Sequence, residues 1–140
     1  MKTTKYVLGF AFNKGCTEVL LIEKKRPNWM VGKLNGVGGH IEDGETPIDA
    51  MVREFKEETN LFVSPWVRFA VFHHKITEHS EGLVVCYTVE GPIYEAKQTT
   101  NEPLIVAKVK ELPSNILYNL SWLIPMAMGD TKVYNITEVE

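Results

Sequence analysis

The sequence predicts a mixed fold of the α+β class. Runs rich in Val, Ile and aromatic residues recur from one end of the chain to the other, as half-buried strands require. Only two stretches carry a helical pattern, and short polar turns separate most of the strand runs. The chain has 140 residues, a length that suits one hydrophobic core, so residues 1–140 are read as a single domain.

Tyr6 to Phe12 and Glu18 to Glu23 are apolar runs separated by the turn signal Asn13-Lys14-Gly15, which predicts a hairpin. Lys24 to Gly39 follows as a polar loop with Pro27 and several glycines, too long for a plain connector and therefore a candidate functional loop. A helix is expected from Pro47 to Thr59. Thr46 suits its N-cap, Pro47 its first position, and Asp49 supplies an acidic variant of the capping box. Ile48, Met51, Val52 and Phe55 form one apolar stripe, and Asn60 suits a left-handed C-cap. The segments 65–76, 82–91 and 103–112 are three further strands. Ser114 is expected to open a second helix that Gly129 closes, with Pro125 kinking or shortening it. The alternating tail Lys132 to Val139 is a candidate edge strand.

Composition excludes several classes. Hydrophobic residues make up 44% and charged residues 24%, the mix of an ordinary globular protein. A net charge of -3 leaves no basic footprint for duplex nucleic acid. No run is apolar for long enough to span a membrane. The N-terminal run reads as a strand rather than a signal peptide, and Cys16 and Cys86 form no zinc-ligand spacing, so a cytoplasmic protein with reduced thiols is expected. His73, His74 and His79 lack metal-ligand spacing.

The first helix breaks two rules at one end. Glu54 faces both Glu57 and Glu58, and like charges at that spacing repel by about 0.2–0.5 kcal/mol per pair. They also gather near the helix C-terminus, where the backbone dipole is already negative. One reading is a solvated acidic face, partly neutralised by Arg53 and Lys56. The other is a site for a hard divalent cation, since clustered carboxylate oxygens suit Mg²⁺ or Mn²⁺ rather than zinc. The glycine-rich approach Gly38-Gly39 and the further carboxylate Glu45 upstream favour the second.

From Gly39 to Leu61 the chain resembles the Nudix hydrolases. The family box runs Gly, five residues, Glu, seven residues, Arg-Glu, an aliphatic, any residue, Glu-Glu, any residue, Gly, an aliphatic. Those places hold Gly39, Glu45, Arg53, Glu54, Phe55, Glu57, Glu58, Asn60 and Leu61 here. Phe55 and Asn60 depart from the pattern, and neither changes a charged group. The resemblance implies a Nudix-type α/β/α sandwich, a mixed β-sheet between helices. It implies Mg²⁺ held by Glu54, Glu57, Glu58 and the Gly38 carbonyl, with Glu102 as a further acidic ligand. Glu54 or Glu102 would be the general base, and Glu45 would brace Arg53, which orients the carboxylates.

Lys24-Lys25-Arg26 and Leu34 to Gly39 are also similar to a pattern in MutT-like enzymes that act on oxidised purine nucleoside triphosphates. That likeness implies a purine contact at Asn35 and base contacts near Asn119 and Trp122. Asn119 is an amide where the family pair is acidic, and Trp122 either stacks on the base or packs in the core. Lys24, Arg26, Lys33 and His40 are the candidate phosphate contacts. The implied partner is a small nucleotide, with neither duplex nucleic acid nor membrane, bound by a monomer or homodimer. The implied reaction is Mg²⁺-dependent cleavage of a nucleoside triphosphate to the monophosphate and pyrophosphate. Alternatives are cleavage of ADP-ribose, a nucleotide sugar or a dinucleotide, or a silent domain that only senses nucleotide.

Overall fold

A computed structural model describes residues 2–129 and 134–137, the last four as backbone only. Strands β1 (Lys2–Phe12) and β2 (Glu18–Glu23) come first. A short 3-10 turn, Asn28–Met30, leads to β3 (Leu34–Asn35) and β4 (Val37–His40). Helix α1 (Pro47–Thr59) is followed by β5 (Val67–Thr77), β6 (Ser80–Glu90) and β7 (Leu104–Lys108). Helix α2 (Leu120–Ala127) and β8 (Tyr134–Thr137) complete the described chain.

The strands form one mixed sheet in the order β3-β2-β1-β6-β5-β8, with β4 on β1 and β7 on β2. The sheet is buried on both faces because its side chains alternate. Leu8, Phe10 and Phe12 of β1 and Val19 and Leu21 of β2 pack with Leu120, Leu123, Ile124 and Ala127 of α2. Val7 and Ala11, with Leu20 and Ile22, pack instead with Ala50, Met51 and Phe55 of α1. The expected sandwich of a mixed sheet between helices is therefore the observed fold.

Several sequence expectations change in detail. β1 and β2 do meet beyond their turn, but only at Ala11↔Leu20 and Phe12↔Val19. They then part, and β1 pairs with β4 from Tyr6↔His40 to Gly9↔Val37. β2 pairs with β7 on one edge and with β3 on the other. So Val37 to His40 is a strand, not part of a glycine-rich loop. The glycines permit the close pairing: a Cβ at Gly38 would lie 1.9 Å from the Val7 carbonyl oxygen.

α1 runs over the predicted residues. Thr46 accepts from the Asp49 N–H at 3.3 Å, and Asn60 is left-handed at φ 62°. Its buried face is Ala50, Met51, Phe55 and Thr59, while Ile48 stays exposed in the first turn and Val52 half-exposed. α2 starts later than expected. Asn115 to Leu117 instead docks beside β3, where Leu34 N–H donates to Asn115 O and Leu117 N–H to Leu34 O. Pro125 lies inside α2, which ends at Ala127. The tail strand is present at the sheet edge, parallel to β5.

Candidate active site

The splayed β1–β2 pair admits β4, and β4 carries Gly38 and Gly39 to the flank of α1. There the side chain of Glu54 lies against Gly39. A Cβ on Gly39 would stand 2.5 Å from the Glu54 carboxyl carbon, so only glycine leaves this carboxylate its present place. Glu54 is largely buried, and burial, with Glu57 and Glu58 nearby, pushes its carboxyl above the usual range despite Arg53.

Arg53 organises the group. Its Nε and Nη2 donate to Glu45 Oε2 and Oε1 at 2.7 and 2.9 Å, a two-pronged clamp. Nη1 reaches Glu54 Oε1 at 2.9 Å and Glu57 Oε2 at 3.2 Å, and Nη2 also donates to His40 O at 2.9 Å. Glu45 is tied down a second time by the Glu42 N–H at 3.0 Å. The Arg53 bonds, then the Glu42 N–H, hold the Glu45 carboxyl down to about 2. Glu45, chiefly, pushes the guanidinium pKa up. One cation thus fixes the rotamers of acids on α1 and on the loop before it, and ties both to the end of β4.

Glu102 comes from the segment before β7 and is buried, at 7% exposure. Its carboxylate accepts from the Lys25 N–H at 2.8 Å and meets Lys24 Nζ at 3.3 Å. Glu58 faces it across a cleft of about 250 Å³ lined by Lys25, Arg26, Glu58, Thr100, Asn101 and Glu102. Burial first, and the Glu102 charge second, push the Glu58 carboxyl up. Among the described residues no three His, Cys, Asp or Glu side chains converge on one point as a finished ligand set. Glu54 and Glu57 are turned to Arg53, and Glu102 to Lys24.

A hard divalent cation nevertheless fits the chemistry present. The donors are all carboxylate or carbonyl oxygens. Two of the carboxyls have raised pKa values partly because their neighbours are also acidic, a penalty that a bound cation relieves. The Gly39 cradle fixes one of them in place without a side chain of its own.

The other predicted residues divide. Arg26 lines the cleft beside Glu58, while Lys24 lies on Glu102. The Lys33 carbonyl accepts from the Lys24 N–H, closing the base of the β2–β3 loop, and its side chain is exposed. His40 is exposed with its ring on Tyr6 at 4.6 Å, and its carbonyl belongs to the Arg53 cluster. Asn35 Oδ1 accepts from the Gly36 N–H at 2.8 Å. Asn119 is buried at the start of α2, with its Oδ1 lacking a hydrogen-bond partner. Trp122 packs on the core, edge-on to Phe72 at 6.3 Å. Thr100 and the Lys25 backbone were not legible in the sequence. A hydroxyl and a peptide N–H carry no motif of their own, and only the folded chain sets them beside Glu58 and Glu102.

Among the described residues no helix is long and apolar enough to cross a membrane. The NUDIX domain family model matches residues 2–124. The Bacillus subtilis (strain 168) protein YvcI, described as an uncharacterized Nudix hydrolase, is 39% identical over 115 residues, 81% of this chain; the chain spans 66% of that relative's length. A MutT NUDIX hydrolase from Burkholderia pseudomallei superposes with a TM-score of 0.79 at 17% identity, covering 91% of this chain and all of that one (100%). The NUDIX domain of Shewanella oneidensis NrtR, solved with ADP ribose, superposes with a TM-score of 0.74 at 17% identity, covering 91% of this chain and 87% of that one. Those two likenesses speak for the fold. The match over residues 2–124 and the B. subtilis identity speak for ancestry, and on them the chain belongs to the NUDIX domain family.

Proposed function

We propose that this domain hydrolyses a diphosphate linkage in a nucleotide, most simply a nucleoside triphosphate to the monophosphate and pyrophosphate. The observation that carries the reading is the Arg53-centred cluster. It holds Glu54 and Glu57 on one helical end, beside Glu58 and opposite Glu102. Glu54, Glu57, Glu58, Glu102 and the Gly38 carbonyl would hold Mg²⁺ or Mn²⁺. Such a cation supplies charge neutralisation for phosphate oxygens and acidifies a water.

The chain's own residues do the rest. Arg53, itself held by Glu45, keeps Glu54 and Glu57 in fixed rotamers. Glu54 or Glu102 takes the proton of the attacking water as its oxygen bonds to phosphorus and the pyrophosphate oxygen leaves. Lys24, Arg26, Lys33 and His40 grip phosphates. Asn35 and Asn119 meet the base edge; the Asn119 Oδ1 is unpartnered but buried, so a base donor reaches it only by displacing the residues that cover it. Trp122 supports the base subsite from within the core rather than as an open stacking face. We further read residues 1–140 as one cytoplasmic domain, acting as a monomer or homodimer.

A second reading, cleavage of an ADP-ribose-like substrate by the same cluster, takes its motive from the S. oneidensis neighbour solved with ADP ribose. A third is a silent nucleotide sensor. Pyrophosphate and phosphate release over a panel of triphosphates, sugar nucleotides and dinucleotides, with and without Mg²⁺, separates the three. Metal-dependent pyrophosphate release from a triphosphate is expected. Turnover of linked diphosphates alone would establish the second reading, and binding without turnover the third. Glu57→Gln is expected to lower turnover about a hundredfold or more while the protein stays folded. Unchanged turnover in that variant contradicts the assignment.

A further inference from the structure

The segment from Lys97 to Glu102 is stitched to the end of α1. Lys97 N–H donates to Thr59 O at 2.9 Å, and the Thr99 hydroxyl donates to Glu57 O. Both acceptors belong to the last turn, whose carbonyls have no partner within the helix. Gln98 Nε2 donates to Thr100 O at 2.8 Å and stiffens the strap. Thr100 then hydrogen-bonds both Glu102 and Glu58, from the two sides of the cleft. Its hydroxyl accepts from the Glu102 N–H at 3.1 Å and donates to Glu58 Oε2 at 3.4 Å. A hydroxyl can do both at once; an apolar side chain of the same shape can do neither.

The link opposes a real force. Glu58 and Glu102 carry like charge across a small cleft and come from elements far apart in sequence. Lys24 and the Lys25 N–H hold the Glu102 carboxylate. Among the described hydrogen bonds only that of Thr100 ties Glu58 to the Glu102 segment, while the Lys24 charge attracts both acids.

We propose that Thr100 is a positioning residue: its hydroxyl ties the Glu102 backbone to the Glu58 carboxylate and so sets the spacing of two acids that would hold a divalent cation. This rests on reading Glu58 and Glu102 as cation ligands. Thr100 is exposed, so its replacement leaves the core untouched.

The test is direct Mn²⁺ binding by calorimetry on wild type, Thr100→Val and Thr100→Ser, each checked by thermal melting in metal-free buffer. Groups that orient metal ligands commonly change affinity by 10–100-fold, so Thr100→Val is expected to weaken Mn²⁺ binding about tenfold and Thr100→Ser to restore it to within about twofold. In steady state, Thr100→Val raises the metal concentration needed for half-maximal rate and leaves the rate at saturating metal near wild type. In a Glu58→Ala background the Thr100→Val effect on Mn²⁺ affinity disappears, because the acceptor of the Thr100 hydroxyl is gone. An effect of equal size in that background overturns the proposal, as does unchanged Mn²⁺ affinity in Thr100→Val. In the latter case the metal assignment itself still stands. A wild type that binds no Mn²⁺ overturns both. If Thr100→Val melts early, Thr100→Ala replaces it with the same outcomes.

Discussion

Gly39→Ala separates the site from the fold. A Cβ there would stand 2.5 Å from the carboxyl carbon and Oε1 of Glu54 and 2.7 Å from Oε2. Comfortable contacts of carbon begin near ~3.5 Å, so the carboxylate must retreat by about 1 Å. It is the far end of a flexible side chain, and retreat breaks the 2.9 Å bond to Arg53 Nη1 without disturbing the core. Gly39 is not at positive φ, so alanine is not strained there. The strand gains about 0.5–1 kcal/mol from the lost flexibility of glycine, against about the same lost with the Arg53 contact. A misplacement of about 1 Å at a reacting centre costs on the order of a hundredfold in rate. The expected variant melts within a few degrees of wild type, yet turns over a preferred nucleotide about a hundredfold more slowly and binds Mn²⁺ more weakly. Gly38→Ala is the contrast. Its Cβ would meet Val7 O at 1.9 Å, and two paired backbones cannot yield, so it loses about 3 kcal/mol or more. Pyrophosphate release, Mn²⁺ titration and thermal melting on the two variants make the comparison. A Gly39→Ala enzyme with wild-type kcat and metal affinity would refute the reasoning, since Glu54 would then work equally well displaced.

Two further expectations follow from the same geometry. Phe55 is 1% exposed and packs edge-on to Trp66 at 5.1 Å. Phe55→Leu supplies the aliphatic that the family pattern prefers but forfeits the aromatic pair, and denaturant unfolding should show a loss of about 1–2 kcal/mol. The acid limb of stability tests the Glu45 clamp. Glu45 is held down to about 2, whereas an unfolded glutamate titrates near ~4.3. A lowered pKa contributes stability that is full above the unfolded value and lost as pH falls toward the folded one. The gap between wild type and Glu45→Gln in urea unfolding should therefore shrink from about pH 4 down to 2. Glu54 acts with opposite sign: its raised pKa penalises folding while it is ionised, and that penalty lifts as pH falls. A gap that stays constant across the acid range contradicts the clamp.

How much was legible in the sequence depended on which force decided each element. α1 was readable at both ends because its boundary residues act locally: Thr46 caps its start, and Asn60 takes the left-handed turn at its end. The acidic group was readable because helical periodicity fixes who faces whom, and the Glu45–Arg53 contact lies within one motif. β4 was not readable. Glycine signals a loop by propensity, but Gly38 is in a strand because β1 passes too close for a side chain. The start of α2 was misplaced for a related reason. Asn115 to Leu117 has a helical pattern, yet its backbone is claimed by β3, and a tertiary pairing outweighs propensity. Ile48 belonged to the right period but lies in the first turn of α1, where it stays exposed. The Thr100 link joins positions far apart in the chain, and a single threonine carries no periodic or spacing signal.

The central claim is that acids along α1, with Glu102 opposite, bind a divalent cation. Calorimetric titration of the whole protein with Mg²⁺ or Mn²⁺, alone and with a non-hydrolysable nucleotide, measures that most directly. Saturable binding that strengthens with nucleotide and is weakened by Glu57→Gln is the predicted result. No detectable affinity for either ion, even with nucleotide bound, would contradict the account.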